Sequence, residues 1–251
     1  MFLNCHTYYS LRYGTLKINE LLKSGQENAA VSMALTDVNS TSACLEFVRL
    51  SSEYNIKPIL GVDFRNGAKQ QFIMLAENNE GFYNINIYLS EFLQKQSEDK
   101  TVEIPSKAKQ LPNTFVIYPF ASFESETLSE NEFIGVKIDD LNRLKFSPWK
   151  NRHHKLVVLQ TVTFQNKKGF NTHRLLRAID NNTLLSKLPT SEQASENDIF
   201  ISREKLKKAF EEFPKLIENT ENLLQRCNIH FDFSKEKTCN QKSYTANEEL
   251  D

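Results

Sequence analysis

The chain has 251 residues, of which 39% are hydrophobic and 25% charged, enough for one large α/β domain or two small ones. Its 31 basic and 32 acidic residues leave a net charge of −1, so no chain-wide electrostatic footprint for nucleic acid is present. The scattered cysteines Cys5, Cys44, Cys227 and Cys239 include no Cys-x-x-Cys pair, which argues against a disulfide framework and a zinc ribbon, and no stretch approaches the ~20 apolar residues of a membrane span; the expected location is the cytoplasm, with no membrane partner.

In chain order, apolar strand-like runs alternate with amphipathic helical ones. A first strand over 1–3 is followed by a helix over 17–29 with Ile18, Leu21 and Leu22 at helical spacing, and then by a strand over 30–35 that ends at Thr36-Asp37. Ser40 or Thr41 can cap the next helix, whose stripe runs through Cys44, Leu45, Phe47, Val48 and Leu50. Strands over 58–64 and 71–75 flank Asn66-Gly67, a turn signal that can join them as a hairpin, and a helix over 80–93 follows. The polar stretch 94–112 reads as an exposed excursion. Strands resume over 114–118, 132–136 and 155–159, and helices over 169–179, 202–210 and 214–227 complete the pattern. This alternation argues for a mainly parallel sheet or a closed barrel. The polar, nearly aliphatic-free end, 233–251, reads as a frayed tail or linker after one domain over 1–232.

The chemistry-bearing stretch lies just after the first strand. Asn4 and His6 are spaced i, i+2, which on a strand aims both side chains at one pocket. Two histidines there would be a metal pair; with Asn at the first position half of it remains. His153-His154 sits in a polar turn and reads as solvated, while His173 shares a helix with Arg174 and Arg177 and reads as a surface or interdomain helix face, with a weak phosphate or partner contact as the sharper alternative. The chain carries no Gly-x-x-x-x-Gly-Lys loop and no Gly-x-Ser-x-Gly elbow.

Several stretches carry a resemblance. In order they are Asn4-Cys5-His6-Thr7-Tyr8-Tyr9-Ser10-Leu11-Arg12-Tyr13-Gly14, Ala34-Leu35-Thr36-Asp37, Leu45-Glu46-Phe47, Ile56-Lys57-Pro58-Ile59-Leu60-Gly61 and Leu75-Ala76-Glu77-Asn78-Asn79-Glu80-Gly81-Phe82, followed by 171–179 and 217–228. Together the succession resembles the N-terminal PHP (polymerase and histidinol phosphatase) domain of bacterial C-family replicative polymerases, the DNA polymerase III alpha subunits. The resemblance implies a distorted (β/α)7 TIM-like barrel, the PHP fold, with its pocket at the C-terminal ends of the strands.

It also implies which positions would hold metal, and here the chain departs from the family. Asn4 and His6 stand where members have His-x-His, Tyr13 where an acidic residue precedes the glycine, Val38 for a His, Asp63 for a Glu and Gln71 for a His. A usual Cys or His falls near Pro119, and a closing Asp-x-His appears as Val162 and Phe164. Only His6 and Asp63 can still ligate, too few for a shell of about three or four protein ligands, so no metal and no hydrolysis are expected. The implied role is a structural or docking module of a nucleotidyltransferase whose palm, thumb and fingers, with their Mg, lie outside this chain. A proofreading or accessory subunit is an implied partner, DNA is met only through the full-length protein, and Arg174, Arg177 and Lys187 are the first candidates for a phosphate contact. The alternative is a stand-alone metal-dependent PHP phosphoesterase.

Overall fold

The computed structural model describes residues 2–99, 102–120 and 127–233. Apart from Phe233, the stretch read as a linker therefore lies outside the described residues.

Strands β1 (Phe2–Cys5), β2 (Ser32–Leu35) and β3 (Lys57–Asn66) run parallel, and β4 (Lys69–Ala76) turns back antiparallel between β3 and β5 (Thr114–Pro119). Strands β6 (Glu132–Val136) and β7 (Leu156–Val158) continue parallel to β5, and β8 (Thr161–Val162) pairs parallel with β1. The resulting eight-stranded sheet has the order β7-β6-β5-β4-β3-β2-β1-β8. Its two edge strands, β7 and β8, are separated in the chain by only Leu159 and Gln160, so one stretch joins both edges and the sheet curls on itself. Counting that stretch as a single interrupted stave turns the eight strands into seven, which agrees with the distorted TIM-like barrel expected from the sequence.

Helices α1 (Ile18–Glu27), α2 (Cys44–Ser51), α3 (Asn79–Glu98), α4 (Leu141–Lys145), α5 (Lys167–Asp180), α6 (Arg203–Ala209) and α7 (Pro214–Arg226) follow the strands. Two apolar layers result. Leu3, Ala34, Ile59, Ile73, Phe115, Ile117 and Val157 fill the barrel, with Leu223, Leu224 and Cys227 at the end of α7 packed against them. The alternate strand residues, among them Met33, Leu60, Val62, Phe72 and Met74, meet Leu21, Leu22, Phe47 and Ile85 of the surrounding helices. Burial on both faces is why these strands read as nearly continuous apolar runs.

Two local features follow directly from sequence. The β3–β4 hairpin turns through Gly67-Ala68, with Gly67 at φ +58°, a conformation that costs glycine nothing. Asn78 caps α3 by accepting the Gly81 amide at 3.0 Å. That helix runs on to Glu98, so the excursion placed at 94–112 begins later; the residues after Leu93 remain good helix formers. Strand β8 was not expected, being too short to show a pattern. Cys5, Cys44 and Cys227 are buried free thiols. Among the described residues no helix is long and apolar enough to cross a membrane.

Candidate functional site

The polar pocket sits where the parallel strands end, the side of such barrels on which sites are built. Its first wall is the loop after β1. Asp37, just past β2, accepts the Thr7 amide at 2.6 Å, the Thr7 hydroxyl at 2.7 Å and the Ser10 hydroxyl at 2.7 Å. Burial pushes the Asp37 carboxyl above its ordinary range, against the lowering effect of those donors. The loop then folds tightly on itself. A Cβ on Gly14 would stand 1.9 Å from the Thr7 carbonyl oxygen, so only glycine fits, and its neighbour Tyr13 is turned inward.

Asp63, fully buried on β3, is the centre of the pocket. Its Oδ2 accepts from His6 Nε2 at 3.0 Å, Asn4 Nδ2 at 3.2 Å, Gln70 Nε2 at 2.8 Å, and Arg65 Nε and Nη2 at 2.9 and 2.8 Å. Oδ1 is buried without a hydrogen-bond partner. Burial alone would raise this carboxyl, but the Arg65 guanidinium and His6 outweigh it and hold Asp63 well below the usual carboxylate range. Arg65 is buried too; it donates to the Tyr13 hydroxyl and to the Ala68 carbonyl, and lies 4.7 Å from the Tyr13 ring centre. Burial pushes the Tyr13 phenol up to about 12, so it stays neutral. Since an ionised Asp63 only accepts, His6 carries its proton on Nε2, and Nδ1 faces the Thr163 hydroxyl at 3.0 Å.

Register shifts decide which residues reach this centre. On β1, three steps from Phe2 to Cys5 match two from Met33 to Leu35 on β2, so Leu3 enters the barrel core while Asn4 also turns inward to Asp63. On β4, Phe72 opposes Phe64 but Gln70 opposes Arg65, leaving Gln71 as the extra residue. The pocket therefore takes Gln70, and the expected Gln71 instead donates to the Lys69 carbonyl at 3.2 Å. After β7, Thr161 and Thr163 face Asn4 and His6, whereas Val162 joins the outer apolar layer. The expected pair Val162 and Phe164 is thus one residue out of phase with the pocket-facing pair. Pro119 ends β5 and is not among the residues that hydrogen-bond to Asp63.

Phe164 does close the pocket, from above. It clusters with Tyr13, Phe170 and Ala194, with Val38 at the margin. Helix α5 adds His173, which is fully buried and not on a surface face as expected. His173 Nδ1 donates to the Tyr13 carbonyl at 2.7 Å, and Nε2 accepts the Ala194 amide at 2.8 Å, an arrangement that only the neutral ring satisfies. Burial accordingly lowers its pKa to about 4. Arg177 is no open phosphate contact either: it is buried against Asp180 Oδ2 at 2.7 Å and Glu192 Oε2 at 3.0 Å. Arg174 binds Gln193 Oε1 at 2.9 Å and lies over the Phe170 ring at 5.9 Å, and Lys187 ends a short 3-10 turn. Outside the pocket, His154 is exposed, in keeping with a solvated turn, while His153 is half-buried against Phe213 at 5.6 Å between ring centres.

The donor set does not fit the metals that the fold resemblance implies. His6 Nε2 is engaged with Asp63, and Arg65 already places a cation beside that carboxylate. Among the described residues no group of three His, Cys, Asp or Glu is arranged to hold an ion. Of the contributors the sequence reading missed, two had a signal. Arg65 stands i, i+2 from Asp63 and Thr163 stands i, i+2 from Thr161, the spacing that drew attention to Asn4 and His6.

Comparison with known proteins agrees with this architecture. Residues 3–113 match the family model of the PHP domain. The DNA polymerase III subunit alpha of Halalkalibacterium halodurans is 20% identical over 98% of this chain and 24% of its own length. That of Haemophilus influenzae is 25% identical over 90% of this chain and 22% of its own length. The DNA polymerase III subunit alpha of Ureaplasma parvum is 32% identical over 33% of the chain and 8% of the relative. The chain thus spans about a quarter of the length of the first two relatives.

Proposed function

We propose that this chain, a PHP domain related to DNA polymerase III alpha subunits, serves as a structural and docking module of such a polymerase and has no hydrolytic activity of its own. The observation that carries the reading is the state of the candidate ligand pair His6 and Asp63. Asp63 and His6 bind each other and a buried arginine, beneath a cap of Tyr13, Phe164 and His173. Hydrolysis by a di- or trinuclear centre needs acidic and imidazole groups free to hold metals that activate water, and these two are committed. Primer extension with dNTPs, and the Mg it uses, would belong to palm, thumb and fingers elsewhere in the polymerase. A proofreading or accessory subunit would dock on the barrel's outside, DNA would be met through the whole polymerase, and the location would be the cytoplasm.

The test is direct. The purified domain is incubated with p-nitrophenyl phosphate and with 3′-labelled single-stranded DNA in Mg, Mn or Zn. The expected result is no metal-dependent turnover. Cleavage that requires metal and disappears in His6→Ala would overturn the proposal in favour of a phosphoesterase.

A further inference from the structure

The pocket has the polarity of an anion site, and the side chains behind its lining set that polarity. Thr36 Oγ1 accepts the Cys5 amide at 3.1 Å, so its own proton goes to Asn4 Oδ1 at 2.7 Å. Asn4 must then present its amide nitrogen, not its carbonyl oxygen, to the centre of the pocket. The Thr163 hydroxyl occupies His6 Nδ1 and leaves the Nε2 proton pointing inward. The extra residue on β4 delivers the Gln70 amide nitrogen to the same point, and Arg65 supplies two N–H groups and a full positive charge. Five donor atoms therefore converge on a single carboxylate oxygen. A metal centre needs the reverse, lone pairs turned inward on a cation. A buried anion held by convergent charged and neutral donors is instead the pattern of a carboxylate-binding site.

We propose that this pocket is an anion-binding site whose ligand is the protein's own Asp63 carboxylate, with Arg65 as the built-in cation. The inference rests on the non-hydrolytic reading of the pocket and extends it by naming what the pocket does bind. With the Asp63 carboxylate removed, the same donors accept a free carboxylate small enough for the vacated space.

The experiment is thermal unfolding of Asp63→Ala in sodium formate and, at equal ionic strength, in sodium chloride. Formate at ten times its dissociation constant should raise the Tm by about 3–6 °C over chloride, saturably. The rise should vanish in Asp63→Ala/Arg65→Met. No difference between formate and chloride, an equal rise without Arg65, or a larger rise with Zn would overturn the proposal. Should Asp63→Ala not fold, the near-isosteric Asp63→Asn carries the test. It should melt below wild type, and adding Arg65→Met should recover part of the loss by removing the uncompensated guanidinium. A double variant less stable than Asp63→Asn would overturn the pairing. Failure of the non-hydrolytic reading would appear separately, as metal-dependent turnover by wild type.

Discussion

The inner core of the barrel and the pocket at its strand ends are built on the same strands by opposite rules. In the core, strict alternation sends Ile59, Ile73, Phe115 and Ile117 inward and their neighbours out to the helices, and burial of apolar surface needs no partner-by-partner matching. In the pocket, alternation is broken on β1 and β4, and Asn4, His6, Asp63, Arg65 and Gln70 find one another in specific hydrogen bonds. An extra methylene in a packed apolar layer costs about 1–3 kcal/mol, whereas removing one partner of a buried ion pair costs about 3–5 kcal/mol. Where a metal centre would gather lone pairs around an external cation, this site sets the Arg65 guanidinium against the Asp63 carboxylate.

The largest effect tests the apolar cap above the polar centre. Phe164 is fully buried against Phe170 and His173, so Phe164→Ala should cost about 3–5 kcal/mol in denaturant unfolding. A cost near 1 kcal/mol would mean that the ring lies at an open mouth and that the pocket is not capped.

Next is the pH dependence of the staple between α5 and the cap. His173 is held neutral, with a folded pKa of about 4 against 6.5 in the unfolded chain. Between these values the unfolded state binds more protons, so the contribution of His173 is complete above pH 6.5 and is lost as pH falls toward 4. The loss should be roughly 2–3 kcal/mol. Asp63 contributes in a separate window, since its depressed pKa matters only below the ordinary carboxylate value of 3.8. Unfolding of wild type and His173→Gln from pH 7 to 4 isolates the effect: the stability difference between the two should shrink or reverse on acidification. Parallel curves would contradict a buried neutral imidazole.

The smallest effect sharpens the register argument. Gln70→Ala should cost about 1 kcal/mol through the lost hydrogen bond to Asp63, whereas Gln71→Ala should cost less than half of that. The reverse order would place the extra residue of β4 elsewhere.

How far these features could be read from sequence follows the same division. The alternating strands, the hairpin at Gly67 and the helical stripes were legible because burial repeats with the geometry of the element. His6 was legible from its i, i+2 spacing with Asn4, and Asp63 only through the family resemblance. Gln70 was not, since a single extra residue on β4 shifts the inward phase and leaves no mark in composition. His173 and Arg177 looked like a charged helix face; only the tertiary contacts with Tyr13, Ala194 and Glu192 show that they are buried.

Whether an internal ion pair and not a metal holds the strand ends together can be read from thermal unfolding of the wild-type domain with EDTA, with Zn or Mn, and with neither. An internal ion pair gives superimposable transitions in all three. A lower Tm in EDTA that Zn or Mn restores, and that is absent from His6→Ala, would contradict it, because His6 would then be holding a structural metal and not the Asp63 carboxylate.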